Sequence, residues 1–191
     1  LKKVLDIAHS NSMRMMARVD DILDLAKIES GVIDFRLERT DVRALVAQSI
    51  EANRAYGEQY GVAFAAVEDH AATPAHVSAD ADRILQVLSN LLSNAAKFSP
   101  RGSTVRVSVE VAGNAARVRV SDRGPGIPEA FRPHIFERFR QAEQSDGRKR
   151  PGTGLGLSIV RLIVQNHGGR VGYDTELGKG TTFWFELPRV E

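Results

Sequence analysis

The sequence predicts a two-layer α/β (α+β) sandwich: a mixed, mostly antiparallel sheet with helices on one face, preceded by a long coiled-coil-like helix. Three observations carry this. Val105, Val107, Val109 and Val111 alternate with polar residues, Gly113 and Asn114 turn the chain, and Val118 and Val120 alternate back, which is a hairpin signal. A strongly apolar helical stretch lies just before that hairpin, so helices and strands share one core. Residues 1–30 instead follow a heptad.

In chain order, Leu1, Leu5, Ala8, Ser12, Met15, Val19, Ile22 and Ala26 step alternately by four and three, flanked by Met16 and Leu23. At 1.5 Å per residue this is a rod of roughly 45 Å. Its other face carries Arg14, Arg18, Asp20, Asp21, Asp24 and Lys27, and Gly31 offers a C-terminal stop. A seam of this kind needs a partner, either an antiparallel hairpin or a dimeric bundle; a terminal helix packed on its own domain is the plainer alternative. After Gly31, Ile33, Phe35 and Leu37 alternate as in a half-buried strand. Thr40 and Asp41 offer an N-cap for a helix through about Tyr60. Short strands are expected at Val62–Phe64 and His76–Ser78. Asp80 caps a helix to about Lys97, with Ile84, Leu85, Val87, Leu88, Leu91, Leu92 and Ala95 buried. Beyond the hairpin, residues 121–156 are rich in Gly, Pro and charge. A helix follows over Leu157–Asn166, then closing strands over Arg170–Tyr173 and Thr181–Leu187.

Composition narrows the function classes. The chain has 191 residues, 42% hydrophobic and 26% charged, enough for one well-formed core and an added element. The absence of cysteine excludes disulfides, thiolate metal sites and cysteine nucleophiles. No apolar run is long enough to span a membrane, and the first residues lack the charged-then-apolar pattern expected of a signal peptide. A net charge of +2 gives no support to nucleic-acid binding. The first residue is Leu1 rather than Met, so the sequence is expected to be a piece of a longer protein.

Four local features carry candidate chemistry. Asn90, Asn94 and Lys97 stand at i, i+4 and i+7 and share a helix face, where two amides and an ammonium could hold Mg²⁺ and a phosphate. Taken alone, the same residues suit a solvated amphipathic face. Asp122, Gly124, Gly126 and Ile127 follow a strand; a carboxylate beside glycines suits an adenine pocket, although any turn can have this composition. Gly152, Thr153, Gly154, Leu155, Gly156 and Leu157 open a helix whose free N–H groups favour phosphate. Leu157 stands where the dinucleotide fingerprint needs its third Gly, and Gly178–Gly180 does not make a P-loop. Finally, Gly178, Lys179, Gly180 and Thr181 turn tightly into the last strand. Between the second and third of these lie Phe136 and Phe139, then a long polar stretch expected to be a lid or binding loop, with Arg148, Lys149 and Arg150 able to reach a triphosphate; each alone equally suits a solvated loop tip.

In this order, the motifs resemble the N, G1, F, G2 and G3 boxes of bacterial two-component sensor histidine kinases. Residues 31–191 are similar to their catalytic ATP-binding domain, of the Bergerat (GHKL) fold. Residues 1–30 resemble the second helix of the dimerisation and phosphotransfer hairpin. The resemblance implies that Asn94 ligates Mg²⁺, that Asn90 lies in the same pocket, and that Lys97 contacts phosphate, with Phe98 beside it. It implies that Asp122 binds the adenine amino group, with Gly124, Gly126 and Ile127 forming that wall. Gly152, Thr153, Gly154, Leu155, Gly156 and Leu157 would cradle phosphates, and Thr181, with Gly178 and Gly180, would close the base side. Phe136, Phe139, Arg140, Gln141 and Lys149 would belong to the lid, Gln141 replacing an Arg common in the family.

ATPase relatives of this fold carry a Glu one turn before the Mg²⁺ ligand. Here that place is Asn90, and an amide is no general base, so hydrolysis is disfavoured. His9 is followed by Ser10, with Arg14 five positions on, and lacks the acidic neighbour of the family's phosphorylated histidine. No other histidine has the pattern either. The expectation is therefore a MgATP-dependent protein histidine kinase lacking its own acceptor. It would form a homodimer through the parent's hairpin helices and pass phosphate to a response-regulator receiver domain, with no nucleic acid or membrane contact by this piece. Its location would be cytoplasmic, the parent's anchoring in the inner membrane left open. The competing readings are a catalytically silent ATP-binding module and an anti-sigma-type serine kinase.

Overall fold

The computed structural model describes residues 34–67, 74–141 and 153–190, together with Ser12, Met15, Met16, Val19, Ile22, Leu23, Leu25 and Ala26. In order, the elements are β1 (Glu38–Asp41), α1 (Val42–Ala52), α2 (Arg54–Tyr60), β2 (Ala63–Val67), β3 (His76–Ala79), α3 (Ala81–Phe98), β4 (Thr104–Ala112), β5 (Ala115–Ser121), a 3₁₀ helix (Glu129–His134), α4 (Gly156–Asn166), β6 (Arg170–Glu176) and β7 (Gly180–Pro188). The five-stranded sheet runs β2-β4-β5-β7-β6, antiparallel except for the β2–β4 pair. β1 and β3 form a separate antiparallel pair.

One face of the five-stranded sheet supplies Val105, Val107, Val109, Val118, Val120, Phe183 and Phe185 to the core. α3 and α4 meet that core with Ile84, Leu88, Leu91, Ile159 and Ile163, each 0% exposed. Burying side chains of this size contributes roughly 1.5–3 kcal/mol each. The other face is polar. Glu186, only 7% exposed, pairs with Arg117 and with Arg170, and Arg117 lies over the Trp184 ring at 4.7 Å. Alternation along β4, β5 and β7 therefore decided the layer order.

Several boundaries differ from the sequence reading. Phe35 and Leu37 are not in a strand: the Arg36 N–H donates to Asp80 Oδ2 at 3.1 Å instead of to a ladder, and β1 starts at Glu38. Ile33 lies outside the described residues. The Asp41 cap holds, accepting from the Arg43 N–H at 3.0 Å, but the helix it opens is interrupted at Asn53. There the side chain turns back, its Nδ2 donating to the Ser49 carbonyl at 2.8 Å while its Oδ1 accepts from Ser89 Oγ. Side-chain competition for backbone groups of this kind breaks helices. Leu85 is half-buried rather than buried, and the 3₁₀ helix was not anticipated.

The positions described within residues 1–30 are helical. Met15, Val19 and Ile22 of the expected seam are exposed, whereas Leu25, off that seam, is 8% exposed and joins the core. Ala26, a seam position, is exposed. The rest of the rod, including Leu1, Leu5, Ala8, His9 and its charged face, lies outside the described residues.

Candidate functional site

Asp80 fixes the start of α3. Its Oδ1 accepts from the Arg83 N–H at 3.2 Å, and its own N–H donates to His167 Nε2 at 3.0 Å. From that start, helical periodicity turns Leu88, Leu91, Leu92 and Ala95 into the core and leaves Asn90, Asn94 and Lys97 half-buried along a separate line. Phe98, 39% exposed, ends the helix.

Asp122 stands where β5 leaves the sheet. The β5–β7 ladder continues one step past it, the Asp122 N–H donating to the Thr181 carbonyl at 2.8 Å. Its Oδ1 accepts from the N–H groups of Gly124 (2.7 Å) and Thr181 (3.2 Å). Burial pushes this carboxyl above the usual aspartate range, and the two amide bonds offset part of the rise. The glycines here are close approaches. A Cβ on Gly124 would lie 2.8 Å from Asp122 Oδ1 and 2.9 Å from the Phe98 carbonyl oxygen. A Cβ on Gly126 would collide with the Glu176 carbonyl, and one on Gly180 with the Asp122 carbonyl. Ile127 is buried at 7% exposure.

The third wall comes from the start of α4. A Cβ on Gly156 would lie 3.0 Å from Asn90 Oδ1, so this helix start and the amide line of α3 adjoin. A Cβ on Gly154 would meet the Phe139 backbone at 2.9 Å, and the Phe139 N–H donates to the Gly154 carbonyl at 2.9 Å. Phe139 has φ 59°, left-handed backbone rare for a bulky residue. Its ring is 67% exposed, so the anchor is its backbone, whereas the Phe136 ring packs against Tyr173 at 6.1 Å. Arg140 Nε donates to Glu137 Oε2 at 3.2 Å, and Gln141 is exposed. Leu155 is 1% exposed, its side chain in the core and its N–H donating to Thr153 Oγ1 at 3.1 Å. Leu157 is half-buried on the same core. The structure thus brings α3, the Asp122 loop, the 153–157 segment and the 178–181 turn to one end of the sheet. Lys149, Gly152 and the Arg148–Arg150 cluster lie outside the described residues.

Residues 79–191 match the family described as histidine kinase-, DNA gyrase B-, and HSP90-like ATPase. The chain belongs to this ATPase family. It is 36% identical over 188 residues to the sensor protein IrlS of Burkholderia pseudomallei, covering 98% of this chain and 39% of that protein. It is 35% identical over 191 residues to the sensor histidine kinase WalK of Bacillus subtilis, covering 99% of this chain and 31% of that one. Among solved structures, full-length ShkA in complex with AMPPNP superposes with a TM-score of 0.83 at 30% identity, over 98% of this chain and 38% of that one. The chain therefore spans well under half the length of these relatives.

In this member of the ATPase family, the donor set is compatible with magnesium. Among the described residues no group of three or more His, Cys, Asp or Glu is placed to hold a metal. An amide oxygen from Asn94 with phosphate oxygens and water would suit Mg²⁺, which keeps most of its waters and takes few protein ligands. Sequence reasoning overlooked Thr175, on β6, whose Oγ1 accepts from the Ile127 N–H at 2.9 Å. Its only sequence signal was a threonine that the β-turn sets across from Thr181.

Proposed function

We propose that residues 31–191 are the catalytic ATP-binding domain of a two-component sensor histidine kinase. In this reading it holds MgATP and delivers the γ-phosphoryl group to a histidine on the dimerisation hairpin, for relay to a response-regulator aspartate. Residues 1–30 would be the second helix of that hairpin, through which the parent forms a homodimer. The observation that carries the proposal is the convergence on Asp122: a half-buried carboxylate, two backbone N–H groups fixing one of its oxygens, and glycines that let neighbouring main chain close against it.

Asp122 would accept from the exocyclic amino group of adenine, which guanine replaces with a carbonyl. Lys97 would neutralise phosphate charge, and the 153–157 segment would present backbone N–H groups to it. Asn94 would hold the Mg²⁺, which would supply positive charge to offset that of the phosphates. Asn90 orients without abstracting a proton, since its amide has no basic site at working pH. Transfer then rests on positioning and charge neutralisation of an in-line displacement. No helix among the described residues is long and apolar enough to cross a membrane. ATP and a receiver domain are both met in the cytoplasm, where the proposal puts this domain.

The test supplies a histidine-bearing hairpin and labelled ATP. Acid-labile, base-stable phosphohistidine is the expected product. Nucleotide binding without transfer would favour a catalytically silent module instead. In the same preparation Asn94→Ala should remove the Mg²⁺-dependent part of ATP affinity, and Asp122→Ala should erase the preference for ATP over GTP. Undiminished Mg²⁺ dependence, or retained preference, would remove the corresponding assignment.

A further inference from the structure

The hydroxyl of Thr175 lies outside every motif yet joins two walls of the site. Thr175 Oγ1 is 2.9 Å from the Ile127 nitrogen, 3.0 Å from Thr181 Oγ1 and 3.2 Å from the Gly180 carbonyl oxygen. A hydroxyl has one proton and two lone pairs. The Ile127 N–H takes one lone pair. The Thr175 proton goes to the Gly180 carbonyl while the Thr181 hydroxyl donates to the second lone pair, or it goes to Thr181 Oγ1 itself. Either way, one oxygen ties the Asp122 loop, through Ile127, to the turn that carries Thr181.

That tie acts on Asp122 from both ends. Thr181 donates its N–H to Asp122 Oδ1 and accepts from the Asp122 N–H, so its backbone sets both the carboxylate and the strand exit. The Gly178 N–H donates to the Pro125 carbonyl at 2.8 Å, a second link between the 123–127 loop and the turn. Ile127 and Thr181 are 7% and 6% exposed, so water is poorly placed to replace the Thr175 hydroxyl.

Resting on the reading of Asp122 as the adenine-recognising group, we propose that Thr175 is a positioning residue for base specificity, acting through Ile127 and Thr181. It selects purine nucleoside triphosphates whose base carries an amino group at the 6-position over those carrying a carbonyl there. A threonine pair across β6 and β7 that only stabilises the sheet is the rival account.

The experiment measures ATP and GTP affinities by titration on the full 191-residue chain, alongside thermal melting. Thr175→Val keeps the β-branched shape but removes the donor and both acceptors. The expected result is an ATP/GTP preference roughly tenfold smaller, as for a lost hydrogen bond that strands a buried partner. Thr175→Ser should restore the preference to within about threefold. A lowered melting temperature with an unchanged preference, or failure of Ser to rescue, overturns the inference in favour of the sheet-stabilising account. Asp122→Ala runs in parallel. If it erases the preference and Thr175→Val does not, only this inference fails; if Asp122→Ala leaves the preference intact, the underlying reading of Asp122 fails too.

Discussion

The α3–sheet interior and the candidate-site end of the same sheet are held together in different ways. In the interior, Ile84, Leu88, Leu91, Val118 and Phe185 are all 0% exposed and share their packing among many neighbours. At the candidate site, backbone approaches backbone: Gly180 to Asp122, Gly126 to Glu176, Gly154 to Phe139. Dispersion contacts are individually tiny and collectively large, so a core loses stability by degrees. A close approach of main chains has no such gradation, because a methyl group either fits or displaces a strand. The interior is therefore redundant, and the site is not.

The largest expected effect comes from breaking that second kind of contact. Gly180 has φ 118° and no room for a Cβ against the Asp122 carbonyl, whereas Gly178, in the same turn with φ 78°, meets nothing within 4 Å. Gly180→Ala should cost about 4 kcal/mol and abolish ATP binding, since Asp122 must move. Gly178→Ala should cost only about 1 kcal/mol, from left-handed backbone alone, and leave ATP affinity unchanged. Melting and ATP titration of both variants check the contrast, and equal behaviour would dissolve it. Next in size is Leu88→Ala, at about 3 kcal/mol from lost transfer energy and the cavity left. Denaturant melts should show that loss, while ATP affinity of the folded protein stays near wild type. A comparable fall in affinity would mean that the two regions are coupled rather than separate.

The same difference explains what was legible in the sequence. The interior announces itself by period: Val105 to Val111 by twos, Ile84 to Ala95 by threes and fours. Those spacings gave the hairpin, α3 and the layer order. The glycines of the site were visible as residues, but periodicity says nothing of what each one approaches. Only the assembled chain puts Gly156 beside Asn90 or Gly124 beside Phe98. Where the reading failed, a side chain had intervened locally. Asn53 reaches back to Ser49 and splits the expected helix, and Asp80 takes the Arg36 N–H, so the first strand begins later than the alternation implied. Thr175 escaped because a lone threonine near a turn carries no pattern; its role comes from three partners distant in sequence or across a strand.

The smallest effect, and the sharpest comparison, concerns two carboxylates, one half-buried and one buried. Asp122 at the site is raised by burial above its ordinary value of 3.8. Glu186 on the sheet is also pushed up by burial, but its hydrogen bonds and attraction to Arg117 and Arg170 outweigh that, leaving it below 4.5. Stability rises with pH wherever the unfolded chain binds more protons than the native one. For Asp122 the native state binds more, so its charge costs stability as pH rises through the raised value. For Glu186 the unfolded state binds more, so its contribution is present above 4.5 and is lost as pH falls through the lowered value. Asp122→Asn keeps an acceptor for Gly124 and Thr181 but removes the charge. At neutral pH, without nucleotide, it should equal or exceed wild type in stability by up to about 1 kcal/mol. Glu186→Gln should lose about 1 kcal/mol there, modest because the Arg170 side chain is 79% exposed. Both differences should shrink on acidification, from opposite sides of wild type, in denaturant melts across pH. Shifts of the same sign would mean that the charge on Asp122 is satisfied in the empty site, and that its burial is not held ready for a nucleotide base.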